Sequence, residues 1–241
     1  MINWWFATAA ALVGYLSGSF SLARLVRRAF APGRDLSHTS LRVEGSEWTM
    51  DFSFISATTV AAHLGLRYGF LVMVLDMAKI AAPTLAFRFL LGGSPYFLIT
   101  AAAGFVGHIW PAYYRFHGGR GFLAIYAGML AIDPLGMLAC SVGGYMFGLF
   151  VLRDALSVYM TGVVLLLPWF WFTTRSPACL AWAAFVNVAL GIAMLPEIRR
   201  WLVLRRDPKW ADPTIALEQS GMGRGMIRFG RLVGLVKKPP R

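Results

Sequence analysis

Charged side chains are scarce in this sequence. They make up 14% of the 241 residues, whereas a soluble domain carries about 25% to cover its surface. Hydrophobic residues reach 58% and the mean hydropathy is +0.61. Much of the exterior must therefore face lipid rather than water. Negative charge is scarcer still, with 11 Asp and Glu against 23 Lys and Arg, for a net charge of +12. In a soluble protein that excess would point to nucleic acid, but no zinc-finger or basic-zipper pattern gathers the bases into a folded module. They lie in loops and in the C-terminal stretch, where a bilayer with anionic headgroups can meet them. Nucleic acid is not an expected partner.

Cysteine is limited to Cys140 and Cys179, both in apolar runs. One disulfide is open to the sequence, but two small buried side chains suit that setting better. No C-x-x-C pair or Cys/His cluster is there to hold a metal, and no cofactor is expected. A G-x-S-x-G elbow is also missing, so a covalent serine mechanism has no footing. There is no internal repeat of the kind common in transporters, and a small-solute carrier would rest only on intramembrane charges and glycine-broken helices. The start, Met1-Ile2-Asn3-Trp4-Trp5, lacks the basic flank of a cleaved leader, and positive charge follows the apolar run. That order favours a retained first helix entering from outside.

About 20 apolar residues cross a hydrocarbon core. Candidate spans are 4–23, 69–90, 94–114, 121–134, 136–152, 156–173 and 178–195. They predict an all-α polytopic membrane bundle of about seven transmembrane helices, one domain over residues 1–196. With the N-terminus outside, about 20 of the 23 bases fall on the cytoplasmic side, which fixes the orientation. The first inner loop, 24–68, is long and polar and reads as a re-entrant or interfacial element. Residues 197–241 form a basic cytoplasmic tail. Within it Met226, Phe229, Val233 and Val236 share one helical face opposite Arg224, Arg228 and Arg231. An interfacial helix fits that pattern; a disordered basic tail fits its glycines equally well.

The segment richest in chemistry runs Gly107-His108-Ile109-Trp110-Pro111, then Phe116-His117-Gly118-Gly119-Arg120-Gly121. Glycines between two spans let backbone N–H groups approach an anion. The next span aims its N-terminus at the same point, and Arg120 adds a planar fork suited to phosphate. A tight helix–helix turn with a snorkelling arginine would leave the same trace. Asp76 and Lys79, an i,i+3 pair inside a span, either brace or ligate at that site or form a structural ion pair. His38 and His63 read as solvated loop residues.

This segment resembles the pattern G-H-x-x-P-x-x-x-x-F-K-G-G-K-G of the integral-membrane, acyl-phosphate-dependent glycerol-3-phosphate acyltransferases. It matches at Gly107, His108, Pro111, Phe116, Gly118, Gly119 and Gly121, with His117 and Arg120 in place of two lysines. Leu75-Asp76 with Lys79 is similar to the family's L-D-x-x-K, Gly18-Ser19 to its G-S-x-P, and Leu64-Gly65 with Gly69 to its L-G-x-x-x-G. Two motifs depart from the pattern. Against G-S-G-N-x-G-A-T-N-V-x-R, residues Asp51 to Ala62 keep Ala57, Thr58 and Val60, with Thr59 for Asn, Ala62 for Arg and Ser53 one residue off the Ser position. Against H-R-x-N-I-x-R, residues Met194 to Arg200 lack the His and Asn.

The resemblance implies a seven-helix bundle in a bacterial plasma membrane with an inward-facing site. There an acyl chain would pass from acyl phosphate to glycerol 3-phosphate, the opening step of phospholipid biosynthesis. On that reading Arg120 with the Gly118, Gly119 and Gly121 backbone holds one phosphate, and Arg153 and Arg200 hold a second. Ser53, Thr58 and Thr59 donate hydrogen bonds, Asp76 and Lys79 brace or bind, and His108 or a substrate phosphate takes the hydroxyl proton. The changed motifs admit a second expectation: a catalytically degenerate relative serving as a lipid-binding or accessory subunit among membrane-complex partners.

Overall fold

A computed structural model describes residues 3–33, 36, 39–42, 49–52, 55–152 and 155–204. The 226–236 pattern and the rest of the tail beyond Leu204 lie outside them. Helix α1 (Trp4–Ser19) starts where Asn3 Oδ1 accepts the Trp5 N–H at 3.0 Å. Ser21 Oγ then accepts the Arg24 N–H and caps α2 (Leu22–Phe30), which buries Ala23 and Val26 and exposes Leu25 and Arg28. The long polar loop holds a feature that an all-α reading did not foresee. Strands β1 (Thr39–Arg42) and β2 (Thr49–Phe52) pair antiparallel, with Thr39 opposite Phe52. β-Branched and aromatic residues without a helical apolar stripe prefer extended backbone.

The remaining helices are α3 (Ala57–Leu64), α4 (Leu66–Leu90), α5 (Tyr96–Ile109), α6 (Phe122–Ile132), α7 (Pro134–Phe147), α8 (Ala155–Val164), α9 (Leu166–Thr173), α10 (Pro177–Ala193) and α11 (Leu195–Leu204). A π turn, Gly148–Leu152, continues α7. The bundle is helical and membrane-like, as expected. By length and composition Trp4–Phe30, Leu66–Leu90, Pro134–Leu152 and Leu156–Thr173 can each cross a membrane, while Phe122–Ile132 and Pro177–Ala193 are shorter apolar helices. The expected 156–173 span keeps its bounds, with a turn at Leu165 between α8 and α9. Pro168 explains the turn, because its ring clashes with the carbonyl four residues back, on Val164.

Helix α6 is the centre of the bundle, with Ala124, Ile125, Ala127, Gly128, Met129, Ala131 and Ile132 all buried. Around it close Phe105 of α5, Phe170 of α9, and Trp182, Ala183 and Val186 of α10. The tightest seam joins α1 to α5. A Cβ on Gly18 would lie 2.1 Å from the Gly104 carbonyl oxygen, and one on Gly14 would lie 2.3 Å from that of Thr100. Small residues spaced four apart let two backbones touch, which is how helices gain dispersion energy when lipid competes for every apolar side chain.

Polar groups close the far end of α6. Arg88 Nη1 donates to the carbonyls of Ala131 and Ile132, the latter at 2.8 Å, neutralising the negative end of that helix. Asp133 next caps α7 through the Gly136 N–H at 2.9 Å and accepts the Trp169 indole N–H at 2.7 Å. Asp133→Ala leaves both donors unpaired and is expected to cost about 1–3 kcal/mol. The thermal midpoint in detergent reads this loss, and Asp133→Asn should recover part of it.

Candidate functional site

Proline sets the geometry of the segment between α5 and α6. Pro111 disfavours helical backbone at Trp110, so α5 stops at Ile109, five residues short of the expected span. Tyr15 Oη donates to the Trp110 carbonyl at 2.9 Å and ties this end to α1. A 3₁₀ turn, Ala112–Tyr114, follows, and then Arg115 and Phe116 take left-handed φ angles of 51° and 61°. Two such non-glycine residues cost about 1–2 kcal/mol each. They are held by bonds from the Phe116 N–H to the Pro111 carbonyl at 3.0 Å and from the His117 N–H to that of Tyr114 at 3.1 Å.

The chain then doubles back onto the end of α5. The Gly119 N–H donates to the His108 carbonyl at 3.1 Å. A Cβ on Gly118 would lie 2.2 Å from that same oxygen, and one on Gly119 would lie 2.5 Å from His108 Nε2. Close packing is thus what requires these two glycines, and the Gly119 N–H is spent inside the protein rather than offered to a ligand. Gly121 has a different reason. Its φ is +91°, and a side chain there would meet Phe105 and Ile109. It is the N-cap of α6, with no side-chain hydrogen bond to the first turn. The N–H groups opening α6 therefore keep their partial positive charge at the point where Arg120 enters. Of the features the sequence suggested for holding an anion, the Gly119 amide is engaged within the protein, which leaves the helix N-terminus and the Arg120 guanidinium.

Arg120 is met from α11. Its Nε lies 3.8 Å from Glu197 Oε1, the two side chains being 32% and 34% exposed. Ile198, next in α11, packs against the core together with Trp110 and Phe122. The Arg120–Glu197 contact thus brings the start of α6 beside the start of α11.

Asp76 and Lys79 lie deeper. Lys79 Nζ is 2.8 Å from Asp76 Oδ1 and donates to the Phe20 carbonyl at 2.7 Å, joining α4 to the end of α1. Each side chain is 9% exposed. The His108 ring packs against Gly119 on the inner side of the loop. Ser19 adds a buried hydroxyl beside Gly107, with no hydrogen-bond partner among the described residues.

The other expected residues divide. Thr59 is fully buried, and its hydroxyl both accepts the Ser56 N–H at 2.7 Å and donates to the Ser56 carbonyl at 2.9 Å, making a reciprocal cap for α3. That hydroxyl is engaged locally. Thr58 is exposed on the first turn of the same helix. Ser53 and Arg153 lie outside the described residues, as does the side chain of Arg200 in α11. The structure adds two residues that sequence reasoning did not single out. Arg24 of α2 stacks on the Tyr114 ring, 4.1 Å from its centre, bringing a second guanidinium to the loop. Glu197 falls where the family pattern has Asn. A carboxylate where the family pattern has an amide was a signal available from the sequence.

The chain is similar to known proteins over most of its length. The family model described as glycerol-3-phosphate acyltransferase matches residues 8–203. A glycerol-3-phosphate acyltransferase of Anaeromyxobacter sp. (strain Fw109-5) is 31% identical over 195 residues, covering 79% of this chain and 89% of that protein. One from Anaeromyxobacter dehalogenans (strain 2CP-1 / ATCC BAA-258) is 38% identical over 135 residues, covering 54% of this chain and 61% of that protein. Among solved structures, PlsY (YgiH), an integral membrane glycerol 3-phosphate acyltransferase, shares the fold. Its lysophosphatidic acid form has a TM-score of 0.67 at 23% identity, and its glycerol 3-phosphate form 0.66 at 24%. In both cases 82% of this chain and 92% of that chain are covered.

Proposed function

Since the chain belongs to the glycerol-3-phosphate acyltransferase family, we propose that it moves an acyl chain from acyl phosphate to a hydroxyl of glycerol 3-phosphate at the cytoplasmic membrane surface. The observation that carries this reading is the pairing of Arg120 with the uncapped start of α6, beside α11. A mixed anhydride needs no protein nucleophile. The acceptor oxygen attacks the acyl carbon, the carbon–oxygen bond to phosphate breaks, and inorganic phosphate departs. The protein's part is to position two anions and to balance their charge.

In this scheme Arg120 and the first turn of α6 hold a phosphate, with Arg24 nearby as a second cation. Arg153 and Arg200 remain candidates for the other phosphate, and Thr58 for a hydrogen bond to it. His108, whose ring rests on Gly119, or the departing phosphate itself takes the hydroxyl proton. The N-terminus lies outside and the basic tail inside, with seven crossings in all.

The test is ester formation by purified protein in nanodiscs supplied with acyl phosphate and glycerol 3-phosphate. Arg120→Ala is expected to lower kcat/KM about 10- to 100-fold, the worth of a charge-assisted hydrogen bond. Undiminished turnover would remove Arg120 from the mechanism, and no transfer by the unaltered protein would sink the reading.

A further inference from the structure

We propose that Glu197 is an internal counter-ion that competes with the substrate's phosphate for Arg120 and so sets the affinity of the site for anions. The inference rests on the assignment of Arg120 to phosphate binding and adds to it a residue on a different helix. Three observations carry it. The carboxylate lies 3.8 Å from Arg120 Nε, beyond hydrogen-bond length yet within ion-pair range. Arg120 Nε itself is buried, but both side chains are about one-third exposed, so water reaches the rest of the pair and a better partner can break it. Ile198, the next residue, is packed against the core, which anchors the α11 backbone from which the carboxylate reaches Arg120.

A phosphate dianion and a carboxylate cannot both approach one guanidinium without repulsion. Binding therefore requires Glu197 to yield, and departure of the anion lets it return. The arrangement weakens ground-state capture and favours release of phosphate-bearing product. An Asn-like neutral residue at position 197 would impose no such competition.

Calorimetric titration with glycerol 3-phosphate and with inorganic phosphate tests this without turnover. Glu197→Gln is expected to bind both anions about two- to fivefold more tightly, the range of a partly exposed ion pair. The gain should shrink in high salt. It should vanish in an Arg120→Gln background, while Glu197→Asp should stay close to the unaltered protein. In assays the change should appear in KM more than in kcat. Glu197→Ala serves if the Gln variant fails to fold. Unchanged or weaker anion binding by both variants overturns the inference, as does a gain that survives loss of Arg120. A loss carried by kcat with a flattened pH profile would make Glu197 a proton acceptor instead and also overturn it. If no protein transfers acyl groups yet the neutral variants bind the anions more tightly, the counter-ion stands and the acyltransferase reading falls. If transfer proceeds but anion binding ignores residue 197, the reverse holds.

Discussion

Gly18→Leu is expected to abolish recovery of a monodisperse protein from detergent. Even a single added carbon would lie 2.1 Å from the backbone oxygen of Gly104, and no rotamer can move it aside. The two helices must separate by more than an ångström, and the tie from Tyr15 to Trp110 separates with them. Overpacking typically costs about 1–3 kcal/mol, and more where the obstacle is backbone. Gly18→Ala should therefore lower the thermal midpoint by several degrees, and Gly14→Ala should add to it, since a Cβ there lies 2.3 Å from the Thr100 oxygen. Gly191→Ala is the control. Its Cβ would meet nothing within 4 Å inside α10, so helix propensity alone predicts a neutral or slightly stabilising change. Equal losses at Gly18 and Gly191 would mean that the seam does not organise the bundle.

Removing one partner of the buried pair on α4 is expected to be nearly as severe. Asp76→Ala leaves the Lys79 ammonium, 9% exposed, with only the Phe20 carbonyl. An uncompensated buried charge costs about 3–5 kcal/mol, which rivals the whole stability of many domains. The double variant Asp76→Leu with Lys79→Met removes both charges at similar volume and should regain most of the loss. If the pair is a brace, acyl transfer returns with stability in the double variant. Restored folding without transfer would instead mean that Lys79 or Asp76 touches substrate.

Much of the fold could be read from hydropathy because lipid imposes one rule on long apolar runs. The span expected at 69–90 is α4, Leu66–Leu90, and that at 178–195 is α10, Pro177–Ala193. Helix ends were less legible where a local residue overrode the apolar signal. Pro111 cut α5 short, and Pro168 put a turn at Leu165 inside the sixth span, whose bounds nevertheless hold. Small hairpins in polar loops leave almost no periodic trace, so β1 and β2 were missed. The loop between α5 and α6 was legible as a glycine-rich turn, at Gly118, Gly119 and Gly121. The reason for the glycines was not, because close approach to His108 is a tertiary fact. Nor could spacing reveal that Glu197 meets Arg120 or that Arg24 lies over Tyr114, since each pair joins elements far apart in the chain. Thr59 illustrates the opposite error. A hydroxyl in a suggestive motif turned out to be engaged in capping its own helix.

The closure at the other end of α6 has a bearing on transport. That helix is only about 16 Å long at 11 residues. It begins beside Arg120 and stops against Arg88, whose guanidinium holds the last two carbonyls, with the Asp133–Trp169 bond just behind. A solute entering beside α6 would have to break these contacts to emerge on the opposite face. The proposed reaction needs no open route past that end of α6, and reconstituted vesicles should stay as tight to ions and small anions as empty ones.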